Sequence, residues 1–313
     1  MEFSLLLAKQ IAAIFIMIFV GFSAVKLKML KSSDCATIAK LTMYVITPFM
    51  IVNSCQMEYS NQKLAEFAVG IALSLVIKLL YIAFAALIHK AKPLVNTEKA
   101  SLIYSNAGNM LIPVVGALIG SEGVFFVCSF IIGQSIFFWT HGVWVMGGKD
   151  QIKLKKILTN PNLIAIVVGV ALFVTGFMLP AIPKNAVSQI SATIGPICMF
   201  VIGMIIAGSD LKKVFANKRA YFTAFGRLIA FPTLTILCFW AIGAGNWEPR
   251  WKAVLTVIVL CFSAPTASNV AQTATVFKSD AELASVINIM TVLFCIVTIP
   301  LMAYIYQLLC GVV

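Results

Sequence analysis

The chain has 313 residues, of which 61% are apolar and 11% are charged, with a formal net charge of +12. Soluble proteins are about 45–50% apolar and about a quarter charged, so this composition excludes a soluble enzyme, a disordered protein and a nucleic-acid-binding domain. A membrane-spanning helix needs about 20 apolar residues, and ten of them would use nearly the whole chain. The composition therefore predicts an all-α polytopic membrane protein.

Ten apolar runs have the length of a membrane span. They lie at 3–25, 38–56, 66–88, 99–119, 122–147, 161–180, 186–208, 219–243, 251–275 and 281–308. Lysines and arginines form short clusters between these runs, which is typical of cytoplasmic loops and unlike the basic face of a nucleic-acid-binding domain.

The basic clusters also predict the orientation in the membrane. If the link 26–40 is cytoplasmic, sixteen basic residues outside the span interiors lie on the inner side and four on the outer side. Because positive charge concentrates on the cytoplasmic side, this bias predicts a multi-pass protein of the plasma membrane with both termini outside. The first apolar run has no basic segment before it and no obvious cleavage site, so it is interpreted as a retained span.

Prolines inside the spans predict an internal repeat. Pro48 and Pro196 are 148 residues apart, and Pro113 and Pro265 are 152 residues apart. Two pairs at nearly one offset predict two five-helix copies, residues 1–150 and 151–313. Because five is odd, the second copy enters the membrane from the opposite face, as in the inverted repeats of transporters. The alternative is that proline is simply frequent in membrane helices.

Spans 4 and 9 carry polar residues, glycine and proline at their centres. The stretches are SNAGNMLIP over 105–113 and SAPTASN over 263–269. Such residues are unfavourable in hydrocarbon unless they line a cavity or face protein, so both helices are predicted to be broken. A break exposes N–H groups and the positive end of a helix dipole, and proline suits the first turn of the resuming half-helix, here at Pro113 and Pro265.

Two positive helix ends that enter from opposite sides favour an anion such as a carboxylate. The predicted substrate-binding residues come from these two stretches: Asn106, Gly108, Asn109, Pro113, Pro265, Ser268 and Asn269. The alternative is that the amide side chains only satisfy backbone groups that the breaks set free.

The motif of span 4 consists of Asn106, Pro113, Gly116 and Gly120. It resembles the fourth-helix pattern of the auxin efflux carrier family, which includes the plant PIN exporters and bacterial malate- and malonate-type permeases. Further segments similar to the family pattern are Gly21 with Lys26-Leu27-Lys28, Asn160-Pro161, Ile194-Gly195-Pro196 with Gly203, Ala264-Pro265, Ser279-Asp280, Ala284-Ser285 and Ile299-Pro300.

The resemblance implies a ten-helix 5+5 inverted fold in which helices 4 and 9 are broken and cross, usually as a homodimer. In that family, spans 1, 2, 6 and 7 form a scaffold, and spans 3–5 and 8–10 form a transport domain. Asn106, Pro113 and Pro265 carry over as residues at the substrate crossing. The chain lacks the long hydrophilic loop that plant members have between spans 5 and 6, so neither regulation through that loop nor auxin as the substrate is expected.

Three titratable residues inside the spans are further candidates. Lys78 lies roughly 16 Å from either end of span 3, and Arg227 follows it by 149 residues, close to the repeat offset. Such cations can attract an anionic substrate, or each can serve a structural partner such as a carbonyl. A contact with a lipid headgroup is a further alternative for Arg227. His141 in span 5 is a candidate proton carrier, although a lone histidine is more often a core residue. The acidic residues lie in links, termini and span ends, so no buried carboxylate is expected for cation coupling.

These patterns predict a secondary transporter or facilitator that moves a small organic anion by alternating access. No metalloprotease or nucleophile–base motif is present, so neither an enzyme nor a cofactor nor a metal site is expected. The expected partners are the anion, membrane lipids and a second copy of the chain, without nucleic acid. The alternatives are an anion channel, and a membrane sensor that binds a ligand without moving it.

Overall fold

The structure is a computed structural model that describes residues 2–149, 159, 161–277 and 279–311. In this part of the chain the regular structure is helical, apart from one isolated antiparallel bridge. The helices of the first half are α1 (Glu2–Lys26), α2 (Asp34–Leu41), α3 (Thr47–Ser54), α4 (Asn61–Ala91), α5 (Asn96–Ile103), α6 (Ile112–Leu118), α7 (Ser121–Phe137) and α8 (Val143–Gly147). Three π-helical turns lie between them, at Thr42–Ile46, Ala107–Leu111 and Phe138–Gly142.

The described part of the second half is also built from helices. Its helices are α9 (Pro161–Thr175), α10 (Ala181–Ala192), α11 (Ile194–Gly208), α12 (Leu211–Ala216), α13 (Lys218–Phe225), α14 (Phe231–Ala241), α15 (Pro249–Ser263), α16 (Ser268–Val276) and α17 (Ala281–Cys310). A π-helical turn at Gly226–Ala230 joins α13 to α14, and a 3₁₀ turn follows at Ala244–Asn246.

Six of the described helical segments are long and apolar enough to cross a membrane, judged by length and composition. They are Asp34–Ser54, Asn61–Ala91, Ser121–Gly147, Ala181–Gly208, Lys218–Ala241 and Ala281–Cys310. Many of their large apolar side chains are exposed, including Val76, Leu237 and Val297, as expected of helices whose outer face meets lipid. The predicted class, a nearly all-helical polytopic membrane protein, is confirmed at this level.

The chain divides into two compact units, each of which is discontinuous in sequence. Unit 1 contains Met1–Leu64, Gly108–Phe125 and Thr159–Leu211, and unit 2 contains Ala65–Ala107, Phe126–Leu158 and Lys212–Val313. Each unit takes residues from both predicted repeats. The units are therefore a spatial division, whereas the repeats 1–150 and 151–313 are a proposed division of the sequence.

In unit 1, α1 and α11 pack against each other through glycine. A Cβ atom built on Gly21 would overlap the carbonyl oxygen of Phe200, and one built on Gly203 would overlap the carbonyl oxygen of Ile18. Small residues of this kind let two membrane helices approach backbone to backbone. The close contact thus gives a structural reason for both glycines of the family-like pattern.

In unit 2, α17 is the central helix. It packs against α13, α14, α15 and α16. The residues at one end of this core are Val214, Ala220, Ala224, Leu283, Ile287 and Met290, all of them buried. A long helix with this many neighbours positions the side chains that reach the interrupted helices described next.

Candidate functional site

The helix predicted over 99–119 is interrupted before its proline. α5 ends at Ile103, Tyr104 adopts an extended conformation with φ −102° and ψ 126°, and helical structure resumes at Ala107 in a π-helical turn that continues into α6. Pro113 is the second residue of α6, well beyond the break. Pro113 does lie in the first turn of α6, as predicted, but the break itself comes earlier, at 104–106.

The helix predicted over 251–275 is interrupted at its proline. α15 ends at Ser263, and the backbone is extended at Ala264 (φ −64°, ψ 153°) and Ala267 (φ −61°, ψ 129°). α16 then begins at Ser268. Pro265 lies inside this break and not, as predicted, in the first turn of the helix that resumes at Ser268. Its missing N–H removes one donor that a buried break would have to satisfy.

The two breaks pair with each other. Ser105 and Thr266 form the isolated antiparallel bridge. The N–H of Asn106 donates to the carbonyl of Pro265 at 2.8 Å, and the N–H of Ala267 donates to the carbonyl of Tyr104 at 3.0 Å. We call residues 104–106 and 264–267 the paired breaks, since together they form a minimal two-stranded sheet within unit 2.

A glutamine of α7 completes the first break. The Oε1 atom of Gln134 accepts the N–H of Ser105 at 3.1 Å and its hydroxyl at 2.8 Å. The Nε2 atom of the same amide donates to the carbonyl of Ser105 at 2.6 Å. Gln134 thus pairs with Ser105 as the backbone of a neighbouring strand would, and it satisfies both backbone groups that the bridge leaves open.

Two residues of α17 complete the second break. The hydroxyl of Thr291 accepts the N–H of Thr266 at 3.2 Å, and the Nδ2 atom of Asn288 donates to the carbonyl of Thr266 at 2.9 Å. The hydroxyl of Thr266 in turn donates to the carbonyl of Ser101, near the end of α5, at 3.2 Å. Side chains therefore saturate the bridge on both sides, as a backbone away from water requires.

Arg227 is fully buried and hydrogen-bonds three carbonyls. Its Nε atom donates to Ala264 at 3.0 Å, Nη1 to Leu102 at 3.1 Å and Nη2 to Phe262 at 2.9 Å. These carbonyls lie at the ends of α5 and α15, where helices carry unpaired acceptors and partial negative charge. The structure thus gives Arg227 the carbonyl partners that the sequence analysis left open as the structural alternative.

Lys78 is also fully buried, beside the end of α5. Its Nζ atom donates to the carbonyl of Ile103 at 3.0 Å and to Oε1 of Gln134 at 3.2 Å. It also lies 4.8 Å from the ring centre of Phe262 and 5.2 Å from that of Phe130, within the range of cation–π attraction. In the described part of the chain, the ion pairs with Asp or Glu involve neither Lys78 nor Arg227.

The polar residues that follow the breaks come together in part. The Nδ2 atom of Asn106 donates to the hydroxyl of Ser268 at 3.1 Å, and both side chains are half-buried. Asn269, the next residue of α16, is half-buried too. Gly108 and Asn109 lie in the π-helical turn Ala107–Leu111, and both belong to unit 1.

The start of α16 leaves backbone donors available. The amides of its first turn have no partner within the helix by their position. Among the described residues, the hydrogen bonds outside regular helices include none from the N–H of Ser268 or Asn269. A negative group placed against this helix end therefore finds backbone donors and the positive end of the helix dipole.

His141, in the π-helical turn that follows α7, contacts the first residue of the first break. The hydroxyl of Tyr104 donates to the carbonyl of Phe137 at 2.9 Å and lies 2.9 Å from Nδ1 of His141. Because the phenol proton is donated to the carbonyl of Phe137, we assign a proton to Nδ1 of His141, which then donates to the hydroxyl oxygen of Tyr104. The geometry makes His141 a neighbour of Tyr104, the first residue of the paired breaks.

Two carboxylates are buried, contrary to the expectation from the sequence. Glu66 and Glu98 are 3% and 2% exposed. Glu98 accepts the N–H of Val95 at 2.8 Å through Oε2, and its Oε1 lies 3.4 Å from Nε of Arg219. It thus caps the start of α5, and it is buried because α13 covers that helix end.

Unit 1 contains a cavity of about 380 Å³, within the size range of small-molecule pockets. The residues around it include Met50, Asn53, Val114, Gly116, Gly195 and Pro196. Its wall therefore includes part of the helix that resumes after the first break. The sequence analysis assigned no pocket to unit 1.

Sequence analysis also missed Gln134, Asn288 and Thr291. Each is a polar residue inside a mainly apolar run. A signal was available, because a polar side chain at mid-membrane depth needs a partner. The same reasoning identified the polar stretches of spans 4 and 9 and the charged residues Lys78 and Arg227, but not these three isolated residues.

Comparison with known proteins gives one family. The family model described as "Membrane transport protein" matches residues 6–154 and, in a second match, residues 149–303. The two matches follow one another and together cover nearly the whole chain. No individual curated protein matches the chain.

Proposed function

The chain belongs to the membrane transport protein family, that of the auxin efflux carriers, and we propose that it is a secondary transporter or facilitator of a small organic anion. Members of this family are transporters and not enzymes. The resemblance predicted from the sequence motifs is thereby confirmed. The substrate class, a carboxylate, and the mechanism, alternating access, are our proposals.

One observation carries the proposal for an anion. The paired breaks bring Asn106, which precedes one resumed helix, into contact with Ser268, which starts the other. The start of α16, whose first N–H groups have no acceptor within the helix, is thus next to Asn106, and a helix N-terminus of this kind binds negative groups. We propose that the substrate's carboxylate binds there, close to the midplane of the membrane.

Buried positive charge supports the same conclusion. Lys78 and Arg227 are fully buried beside the paired breaks, and their described partners are neutral carbonyl, amide and aromatic groups. A cationic substrate would meet repulsion at this place, whereas an anion would be attracted. We propose that the two cations act on the substrate only through this field, with the carbonyls as their direct partners.

The proposed substrate site comprises the residues expected from the sequence. They are Asn106, Gly108, Asn109, Pro113, Pro265, Ser268 and Asn269. Asn106 and Ser268 have the strongest support from their contact, while Pro113 has the weakest because it lies beyond the break. We propose that His141 holds the hydroxyl of Tyr104 in place and does not transfer protons.

We propose ten spans in a 5+5 inverted repeat. Six long apolar helices, the shorter apolar segments Phe15–Lys26 and Pro161–Thr175, and two interrupted helices correspond to the ten predicted spans. The two consecutive family matches support two copies. The pair Pro113 and Pro265 no longer supports the repeat, since the two prolines differ in position relative to their breaks.

The two units support separate roles for a fixed scaffold and a moving transport domain. Unit 1 contains the predicted spans 1, 2, 6 and 7, and unit 2 contains most of spans 3, 5, 8, 9 and 10. Span 4, which the resemblance assigns to the transport domain, is divided, with 99–107 in unit 2 and 108–119 in unit 1. We propose that unit 1 is the scaffold and unit 2 the transport domain, as the family resemblance implies. We further propose a homodimer in the plasma membrane with both termini outside, on the family resemblance and on the distribution of basic residues.

Uptake into proteoliposomes tests the function. Purified protein is reconstituted and offered a panel of labelled mono- and dicarboxylates, with and without proton and sodium gradients. We expect saturable uptake of at least one carboxylate and none of a matched amine. Asn106→Ala is expected to reduce uptake to about a tenth or less, because it removes the contact to Ser268.

Asn185→Ala is the matched control, because Asn185 is exposed on α10 and its loss is expected to leave uptake unchanged. Undiminished uptake in Asn106→Ala would place the site elsewhere. Large, weakly saturable currents would identify a channel, and carboxylate binding without uptake would identify a sensor.

A further inference from the structure

The guanidinium of Arg227 connects two helix ends that are far apart in sequence. The carbonyl of Leu102 belongs to the end of α5, whereas the carbonyls of Phe262 and Ala264 belong to the end of α15. A guanidinium offers its N–H donors in a rigid, planar fork. Three of its nitrogen atoms are used here on two separate segments, so one side chain fixes the spacing of both.

These helix ends need such a partner. The last turn of a helix leaves carbonyls without an internal donor, and in a membrane interior no water replaces it. Arg227 is fully buried, so its charge and the partial negative charges of the two helix ends stabilise each other. Removing the fork would leave acceptors of both helices unsatisfied at once.

Lys78 has a narrower role at the same place. Its described hydrogen bonds go to Ile103 at the end of α5 and to Gln134. Those bonds fix the first interrupted helix, and the contact of Lys78 with the α15 side is the face of Phe262. The two cations occupy similar positions in the proposed repeats, but Arg227 alone hydrogen-bonds both helix ends.

We propose that Arg227 is a positioning residue for transport. Its fork holds α5 and α15 at the spacing at which the paired breaks form, and this spacing brings Asn106 to Ser268. The kinetic consequence rests on the proposed function of that pair as a substrate site. The connection itself is a property of the folded protein, and it is measurable without any substrate.

The variant Arg227→Lys tests the planar donor geometry of the guanidinium separately from its positive charge. Lysine keeps a cation but presents a point charge in place of a planar fork. We expect KM for uptake to rise about tenfold with Vmax within about twofold, since misplaced donors weaken binding. A purely structural loss lowers the amount of folded protein, and therefore lowers Vmax without changing KM. A wild-type KM in Arg227→Lys would overturn the proposal, because charge alone would then suffice.

Arg219→Gln is the matched control. Arg219 lies in the adjoining α13, its side chain is 53% exposed and its partner is Glu98. We expect this variant to keep the wild-type KM. An equal rise of KM in both variants would show that loss of any nearby hydrogen-bonded cation produces the effect, and would contradict a specific role for Arg227.

Hydrogen exchange tests the connection independently of transport. In the wild-type protein without substrate, we expect peptides over 104–106 and 266–267 to exchange at least about tenfold more slowly than the link 57–60, for whose amides no hydrogen bond is described. In Arg227→Lys both peptides are expected to lose protection together, and in Arg219→Gln neither. Fast exchange at the paired breaks of the wild type, or unchanged protection in Arg227→Lys, refutes the connection whether or not a substrate has been found.

Discussion

The two breaks reach the same bridge by different chemistry. The first, at 104–106, contains no proline, whereas the second, at 264–267, contains Pro265. One side chain, Gln134, satisfies both open backbone groups of Ser105, while Asn288 and Thr291 share the same task at Thr266. The comparison indicates that partner side chains, more than proline, decide where these helices are interrupted.

The two breaks also differ in how many buried backbone groups a single side chain satisfies. A buried N–H or carbonyl without a partner destabilises a protein by about 1–3 kcal/mol. At the first break, a single amide prevents two such losses and also accepts from Lys78. At the second break the contacts are divided between two residues. The first break should therefore be the more sensitive to a single substitution.

Gln134→Leu is expected to have the largest effect. It leaves the N–H and carbonyl of Ser105 without side-chain partners and removes one acceptor from Lys78. We expect a loss of about 2–4 kcal/mol in the free energy of unfolding, seen as a lower Tm, and uptake below about a tenth of wild type. Gln189→Leu, at an exposed position of α10, is the control. Equal Tm values for the two variants would contradict the role of Gln134.

Asn288→Leu is expected to have about half that effect. It leaves the carbonyl of Thr266 open, while Thr291 still accepts the N–H of the same residue. We expect a loss of about 1–2 kcal/mol, measured by the same thermal unfolding. Asn185→Leu is the exposed control. If Asn288→Leu is more destabilising than Gln134→Leu, the proposed asymmetry between the breaks is wrong.

The two prolines are expected to differ, and to matter least. Pro265→Ala adds an N–H inside a buried break and is expected to destabilise by about 1 kcal/mol and to reduce uptake several-fold. Pro113→Ala lies in the helical stretch that resumes at Ala107, where the added N–H has carbonyl acceptors in the preceding turn, and is expected to change stability by less than about 0.5 kcal/mol. The sequence analysis treated the two as equivalent, and similar losses of uptake in both would restore that interpretation.

Much of this arrangement was predictable from composition. The apolar runs predicted the membrane class, and the polar stretches around Asn106 and Pro265 predicted two interruptions. Both predictions depend on side-chain chemistry that a sequence displays directly, since polar residues at mid-membrane depth require an explanation. The confirmed family membership rests on two matches that together cover nearly the whole chain.

The partners of the breaks were not predictable in the same way. The acceptors of Arg227 are backbone carbonyls, which every residue carries, so no residue type in the sequence marks them. The position of the first break depends on Gln134, which lies 29 residues beyond Ser105 and contacts it only in the folded chain. The prolines did not predict the exact positions of the breaks, because Pro265 lies inside its break whereas Pro113 lies beyond the first one.

Binding of a carboxylate to Asn106→Asp tests the central claim most directly. Aspartate is close in shape to asparagine and is favoured before a helix start, so the fold is expected to persist, while its charge repels an anion at the helix N-termini. For a carboxylate found by uptake, calorimetry is expected to show Kd raised about tenfold or more, with Asn185→Asp unchanged. An unchanged Kd in Asn106→Asp would contradict anion binding at the paired breaks.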